Sequence, residues 1–142
     1  MHSLPEVIAE MLRERDAASN PVQNASWPLF VGQLDTDPDE AIGVYDVATP
    51  MDGRIHRTGE TIGLPGYQVR VRSKDYARAR EKAFDIADIF DAILRERVVV
   101  ENDLYEVQGV HQQSSRPSYI GPDPNNRQNF TINGTASYRK VI

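Results

Sequence analysis

The stretch from Gly66 to Leu94 changes its apolar period once, and that change decides what the rest of the chain must supply. In GYQVRVRS, Val69 and Val71 alternate with Gln68, Arg70 and Arg72, so the valines share one face of a strand and the long polar stems share the other. From Ser73 onward Tyr76, Ala79, Ala83, Ile86, Ala87, Phe90, Ile93 and Leu94 recur at spacings of three and four, the stripe of an amphipathic helix. Ser73 is the expected N-cap, with Asp75 in the first turn and Arg95 and Arg97 near the end, acid at the positive pole and base at the negative. A half-buried strand that runs into such a helix needs further strands to complete its sheet.

Phe84 and Ile89 fall on opposite flanks of the stripe, while Glu81, Asp85 and Asp88 hold the far side. Two readings stay open for them. Flanking loops or the N-terminal helix cover both, or they are contacts between subunits.

A chain of 142 residues is the size of one domain, residues 1–142, with enough sequence for a core without staples. It has no cysteine, so disulfides, thiolate zinc sites and cysteine nucleophiles are excluded together, and a reducing compartment fits. No apolar run approaches the roughly 20 residues of a bilayer span, and MHSLPEVIAE lacks the pattern of a signal peptide. A soluble protein is expected. The net charge of -5, with both signs interspersed, argues against a phosphate-neutralising surface for nucleic acid. The arginines Arg70, Arg72, Arg78 and Arg80 are read as a solvated face rather than a binding patch.

Before the central strand, Ser3 and Glu6 form a capping box around Pro5 and open a short helix with Leu4, Val7, Ile8, Met11 and Leu12 on one face. Leu29 to Gln33 and Ala41 to Val47 read as strands, separated by the turn-rich Asp35 to Asp39. Thr49 to Pro65 has no sustained period and reads as a long loop, in which Met51, Ile55, Ile62 and Leu64 are scattered apolar anchors. Those residues join Phe84 and Ile89 as candidate subunit contacts. After the long helix, Val98 to Val100 and Leu104 to Gln112 carry strand pattern, with Tyr105, Val107, Gly109 and His111 on one face. Pro117 to Gly121 is a short strand segment, and Gly121 to Asn126 a turn. In Asn129 to Arg139 the alternation of Phe130, Ile132, Gly134, Ala136 and Tyr138 favours one continuous strand over a hairpin at Asn133-Gly134. Strands without intervening helices point to an α+β fold, a mainly antiparallel β-sheet with an N-terminal helix and one long helix packed on one face.

No motif carries chemistry. Asp35, Asp37 and Asp39 have calcium-loop spacing, but Glu40 stands where the sharp turn needs glycine. His2, His56 and His111 lack ligand spacing and read as surface histidines, and Gly59, Gly63 and Gly66 lack the Gly-Lys-Ser/Thr ending of a P-loop. The carboxylate pair Asp85 and Asp88 lies on the polar helix face, where solvation keeps it from acid–base work. The expectation is a non-enzyme with no catalytic residue, no metal and no cofactor.

The segments LPEVIAEMLRER, LFVGQLDTDPDEAIGVYDV, GYQVRVRSKDYARAREKAFDIADIFDAI and GPDPNNRQNFTINGTASY occur in this order, with a QVRVR-x-KDY-x-x-A junction. Together they resemble the minor capsid or tail terminator proteins of tailed bacteriophages. The resemblance implies a tail-terminator-like subunit that forms a hexameric ring, stops tail-tube polymerisation and presents a surface to the head or neck. Its implied partners are copies of itself, the tail tube protein and a head or neck connector, with DNA passing through the channel without specific binding and no membrane involved. It implies a virion component at the tail–neck junction, assembled in the host cytoplasm. A ring needs two different patches that meet head to tail, and an acidic surface suits a channel through which DNA must slide. The alternatives are a neck or head-completion adaptor and, from another class, a small-ligand or nucleic-acid binding module.

Overall fold

The computed structural model describes residues 2–21, 26–36, 38–47 and 65–141. In chain order they form α1 (Leu4–Glu14), β1 (Leu29–Val31), β2 (Ala41–Val47), β3 (Gly66–Ser73), α2 (Tyr76–Asp91), β4 (Glu96–Val100), β5 (Asp103–Gln112), β6 (Ser118–Pro122) and β7 (Gln128–Val141). The strands make one seven-stranded sheet of order β1-β2-β3-β7-β5-β4, with β6 paired to β7. Every pair is antiparallel except β1 with β2. The α+β class read from the sequence holds.

β7 is the spine. Its first half pairs with β3 on one side, Gly66 opposite Thr135 through Ser73 opposite Gln128, and with β6 on the other. Its second half pairs with β5 on the β6 side, so β5 and β6 run in one line along β7, interrupted by residues 113–117. β7 is unbroken at Asn133-Gly134, as its alternation required.

Val69 and Val71 of β3 face Ile132 and Phe130 of β7 on the inner side of the sheet, where Ile86 and Phe90 of α2 close over them. Tyr67 meets Phe90 edge to face at 5.3 Å between ring centroids, a pairing that adds to simple burial. α1 packs on β1, β2 and β4, strands near both ends of the sheet order, because the sheet curls around the helices. It buries Leu4, Val7, Ile8, Met11 and Leu12, each contributing about 1.5–3 kcal/mol by removal from water. Its capping box forms in part: Ser3 Oγ accepts from the Glu6 amide at 3.4 Å, while the Glu6 carboxylate turns to His2 Nδ1 at 2.5 Å.

Several sequence expectations are corrected. Asp75, not Ser73, caps α2: its Oδ1 accepts from the Ala77 amide at 3.0 Å, and Ser73 ends β3. α2 stops at Asp91, so Arg95 and Arg97 lie beyond its last turn, and Leu94 is 84% exposed rather than part of the stripe. β1 is shorter than Leu29 to Gln33 because Gly32 turns the chain at φ 79. β5 shifts register between Val107 and Gly109, which brings Val110 to the core in place of Gly109 and His111. A single extra residue in one strand reverses the facing of all that follow. His111 is exposed as expected, whereas His2 is half-buried, its amide donating to the Tyr105 hydroxyl at 2.6 Å. His56 lies outside the described residues.

Candidate assembly surface

The outer face of the sheet is not the solvated face that alternation implied. Arg72 is 4% exposed, and its guanidinium donates to the carbonyl oxygens of Asp35 at 2.7 Å, Pro38 at 2.5 Å and Asp39 at 3.2 Å. The loop that resembled a calcium site thus turns its carbonyls to an arginine. Burial, and then the neighbouring Arg127, lower the pKa of Arg72, against Asp123 and Asp39. Arg127, also buried, donates to the Thr36 carbonyl and from Nε to Asp123 Oδ2 at 2.9 Å. The two arginines tie the β1–β2 loop to the β6–β7 hairpin. Beside them Tyr45, Arg70, Ile120 and Gly121 line a groove of about 260 Å³.

The candidate contact residues separate into distinct environments. Ile89 is half-buried and packs against the core. Phe84, also half-buried, lies on the other flank with the Arg80 guanidinium 4.2 Å from its ring centroid, a cation–π contact. Met51, Ile55, Ile62 and Leu64, with the loop they belong to, lie outside the described residues. The first flank of α2 is covered from the α1–β1 connection, where Lys82 Nζ donates to the Ala17 carbonyl at 3.1 Å and stands over Trp27.

The second flank, with Arg80, Phe84 and Asp88, is open. Along the whole helix the bases Arg78, Arg80 and Lys82 fall in the first half together with one acid, Glu81, and Asp85, Asp88 and Asp91 fall in the second. The first turn holds no acid within the helix and the last turn no base. This is opposite to what the helix macrodipole favours. Arg78 is compensated by Glu40, which it grips from Nε and Nη2 at 2.8 and 2.9 Å. Among the described residues neither Arg80 nor Asp88 has an ion-pair partner.

Sequence reasoning missed most of the exposed apolar surface. Tyr76, 50% exposed, stacks with Tyr119 and Phe130 at 5.5 and 5.4 Å, so an aromatic cluster stands where α2 begins beside β6. Ile120, next to Tyr119 at the β6 bulge, is exposed on the other face of the sheet, in the groove with Tyr45 and Arg70. At the far end of α2, Leu94 is exposed beside a groove of about 430 Å³ along Gln108 to His111 of β5, and Val99 is exposed separately on β4. Alternation marks these residues as apolar but cannot say that no neighbour covers them. Exposed apolar side chains thus stand at both ends of α2, Tyr76 with Tyr119 at one and Leu94 at the other. Among the described residues no group of three or more His, Asp or Glu side chains is placed to hold a metal ion, and no helix is long and apolar enough to cross a membrane.

The described residues define an α+β domain with exposed apolar side chains and no metal-ligating cluster, and the comparison with known families gives the family. The chain belongs to the bacteriophage tail terminator family: a family described as bacteriophage tail terminator protein matches residues 14–140. This is a family of structural proteins of the phage tail. Comparison with curated proteins gives no match.

Proposed function

We propose that the protein caps the tail tube as a hexameric ring, ends tube polymerisation and offers the surface to which the head or neck attaches. Its partners are then neighbouring copies of itself, the tail tube protein and a head or neck connector, and DNA passes through the channel without specific binding. It assembles in the host cytoplasm and resides at the tail–neck junction, as a structural part and not an enzyme. The observation that carries the reading is the family match over residues 14–140, on a chain that exposes apolar side chains at separate places, among them Tyr76 with Tyr119 and, at the other end of α2, Leu94. A closed ring needs two such non-identical surfaces on every copy.

Cryo-electron microscopy of purified particles tests it. A ring of this protein at the head-proximal rim of the tail tube is the expected result. Density confined to the portal side of the neck would instead identify an adaptor, and absence from particles would remove the structural reading.

A further inference from the structure

Arg70 lies on the outer face of the sheet, half-buried, and its neighbours there are small or already engaged. Gly43, opposite it on β2, has no side chain, and Thr131, opposite it on β7, is buried. Gln68 donates to Asn133 Oδ1 at 3.0 Å, and Arg72 is turned to the carbonyls of the β1–β2 loop. The Tyr45 ring lies across Gly43, where a Cβ would fall 3.0 Å from its hydroxyl oxygen, and so walls the groove beside the guanidinium. Asp123, which also lines the groove, is held by Arg127. Arg70 Nε is shut off from solvent and meets no acceptor, and the side chain has no ion-pair partner among the described residues. A buried donor without an acceptor is costly, so a groove that keeps one lacks the group that would complete it.

That group must enter the groove to reach Nε. The two oxygens of a carboxylate match the Nε–Nη edge of a guanidinium. Farther along, Leu34 and the 50% exposed Ile120 line the groove, and a small free acid would leave them uncovered. A phosphate backbone calls for a row of bases, whereas here one unengaged guanidinium stands between apolar walls and beside Asp123. A copy of this chain, with 21 acidic side chains against 16 basic, offers carboxylates in excess. We infer that the groove takes an aspartate or glutamate side chain of a neighbouring copy, its carboxylate on Arg70 and an adjoining apolar side chain on Ile120. The inference rests on the ring reading above and names one of the two surfaces that a head-to-tail contact needs.

The test uses the full chain with isotopically labelled arginines, the Nε–Hε signal of Arg70 being assigned by its loss in Arg70→Lys. Sodium acetate is expected to move that signal saturably, and sodium chloride at the same ionic strength to leave it in place. The same shift with chloride would mean an adventitious ion only, and no shift with either would mean that the groove takes no anion; both overturn the inference. A shift with sodium phosphate but not with acetate overturns it too, in favour of a nucleic-acid backbone. The source of the carboxylate is read from association, by native mass spectrometry and by sedimentation on tail tubes made without the protein. Arg70→Gln should associate roughly tenfold or more weakly than the wild type at an unchanged melting temperature, and Arg70→Lys should recover little of the loss. Arg70→Gln that associates as the wild type does overturns the neighbouring copy as the source and leaves the ring reading standing. A lowered melt also overturns the inference, since the arginine would then serve the fold. Wild-type copies that never associate overturn the ring reading, and with it the neighbouring copy, whatever acetate does.

Discussion

Tyr67 of β3 and Gly134 of β7 lie opposite each other, and the tyrosine occupies the space a side chain at Gly134 would need. A Cβ built there would fall 2.8 Å from the Tyr67 hydroxyl and closer still to the His111 carbonyl oxygen of β5, a backbone atom that cannot rotate away. Glycine at this position lets three strands approach at the point where β7 passes from its β6 neighbour to β5. Gly134→Ala should therefore cost about 1–3 kcal/mol, the usual range for overpacking a filled core. A urea titration of the variant against wild type measures the loss, and an unchanged midpoint would show that the strands have room to separate.

Replacing Arg72 should release the β1–β2 loop. Its guanidinium satisfies several buried carbonyls at once, so Arg72→Met leaves them without donors, at about 2–4 kcal/mol. Arg72→Lys should rescue little, because an ammonium cannot reproduce the planar fork. Hydrogen exchange should show the amides that flank this loop, Gly32 and Ile42, losing protection in both variants while those of β3 keep theirs.

The two flanking apolar residues of α2 should behave differently. Ile89→Ser removes a side chain packed on the core and should lower stability by about 1–3 kcal/mol. Phe84→Ser removes a side chain held by Arg80 at the surface and should change the melting temperature little. Thermal melts of the two variants decide this, and equal losses would place Phe84 in the core as well.

Asp123 gives a pH signature. Burial raises its pKa, but hydrogen bonds from Arg127 and Asn125 outweigh that and hold it below the ordinary value of 3.8. A carboxyl whose pKa is lower folded than unfolded stabilises fully above the unfolded value, and that stabilisation is lost as pH falls through the folded one. The wild type should exceed Asp123→Asn in stability at neutral pH, and the difference should shrink as the pH drops below about 4. Denaturant midpoints across the acid range provide the check, and a constant difference would mean that the Arg127 pairing is not what shifts the carboxyl.

The central elements were legible in the sequence because local pattern and tertiary role agree there. The bounds read for β2 and β3, Ala41 to Val47 and Gly66 to Ser73, are those observed, since AIGVYDV follows a turn-rich acidic stretch and GYQVRVRS alternates up to the point where the period changes. Two failures have one cause, which is that alternation records polarity and not neighbours. Arg72 looked solvated because nothing in GYQVRVRS reveals the loop that folds over it, and Val110 was misplaced because the register shift after Val107 leaves no mark in composition. The parallel pairing of β1 with β2 was unreadable for a related reason: three residues carry too short a pattern to fix a partner. At the candidate site Phe84 and Ile89 stood out as lying off the stripe, but only the packed structure shows that one faces the core and the other Arg80.

The pairing of β3 with β7 has a consequence in time. α2, β4, β5 and β6 all lie in the chain between those two strands, so the centre of the sheet cannot close until β7 has left the ribosome. Until then α2 has neither Phe130 nor Ile132 to pack on, and Tyr76 and Tyr119 have no common support. A nascent chain consequently lacks the joined aromatic surface of Tyr76, Tyr119 and Phe130, which comes into being in one step when β7 takes its place.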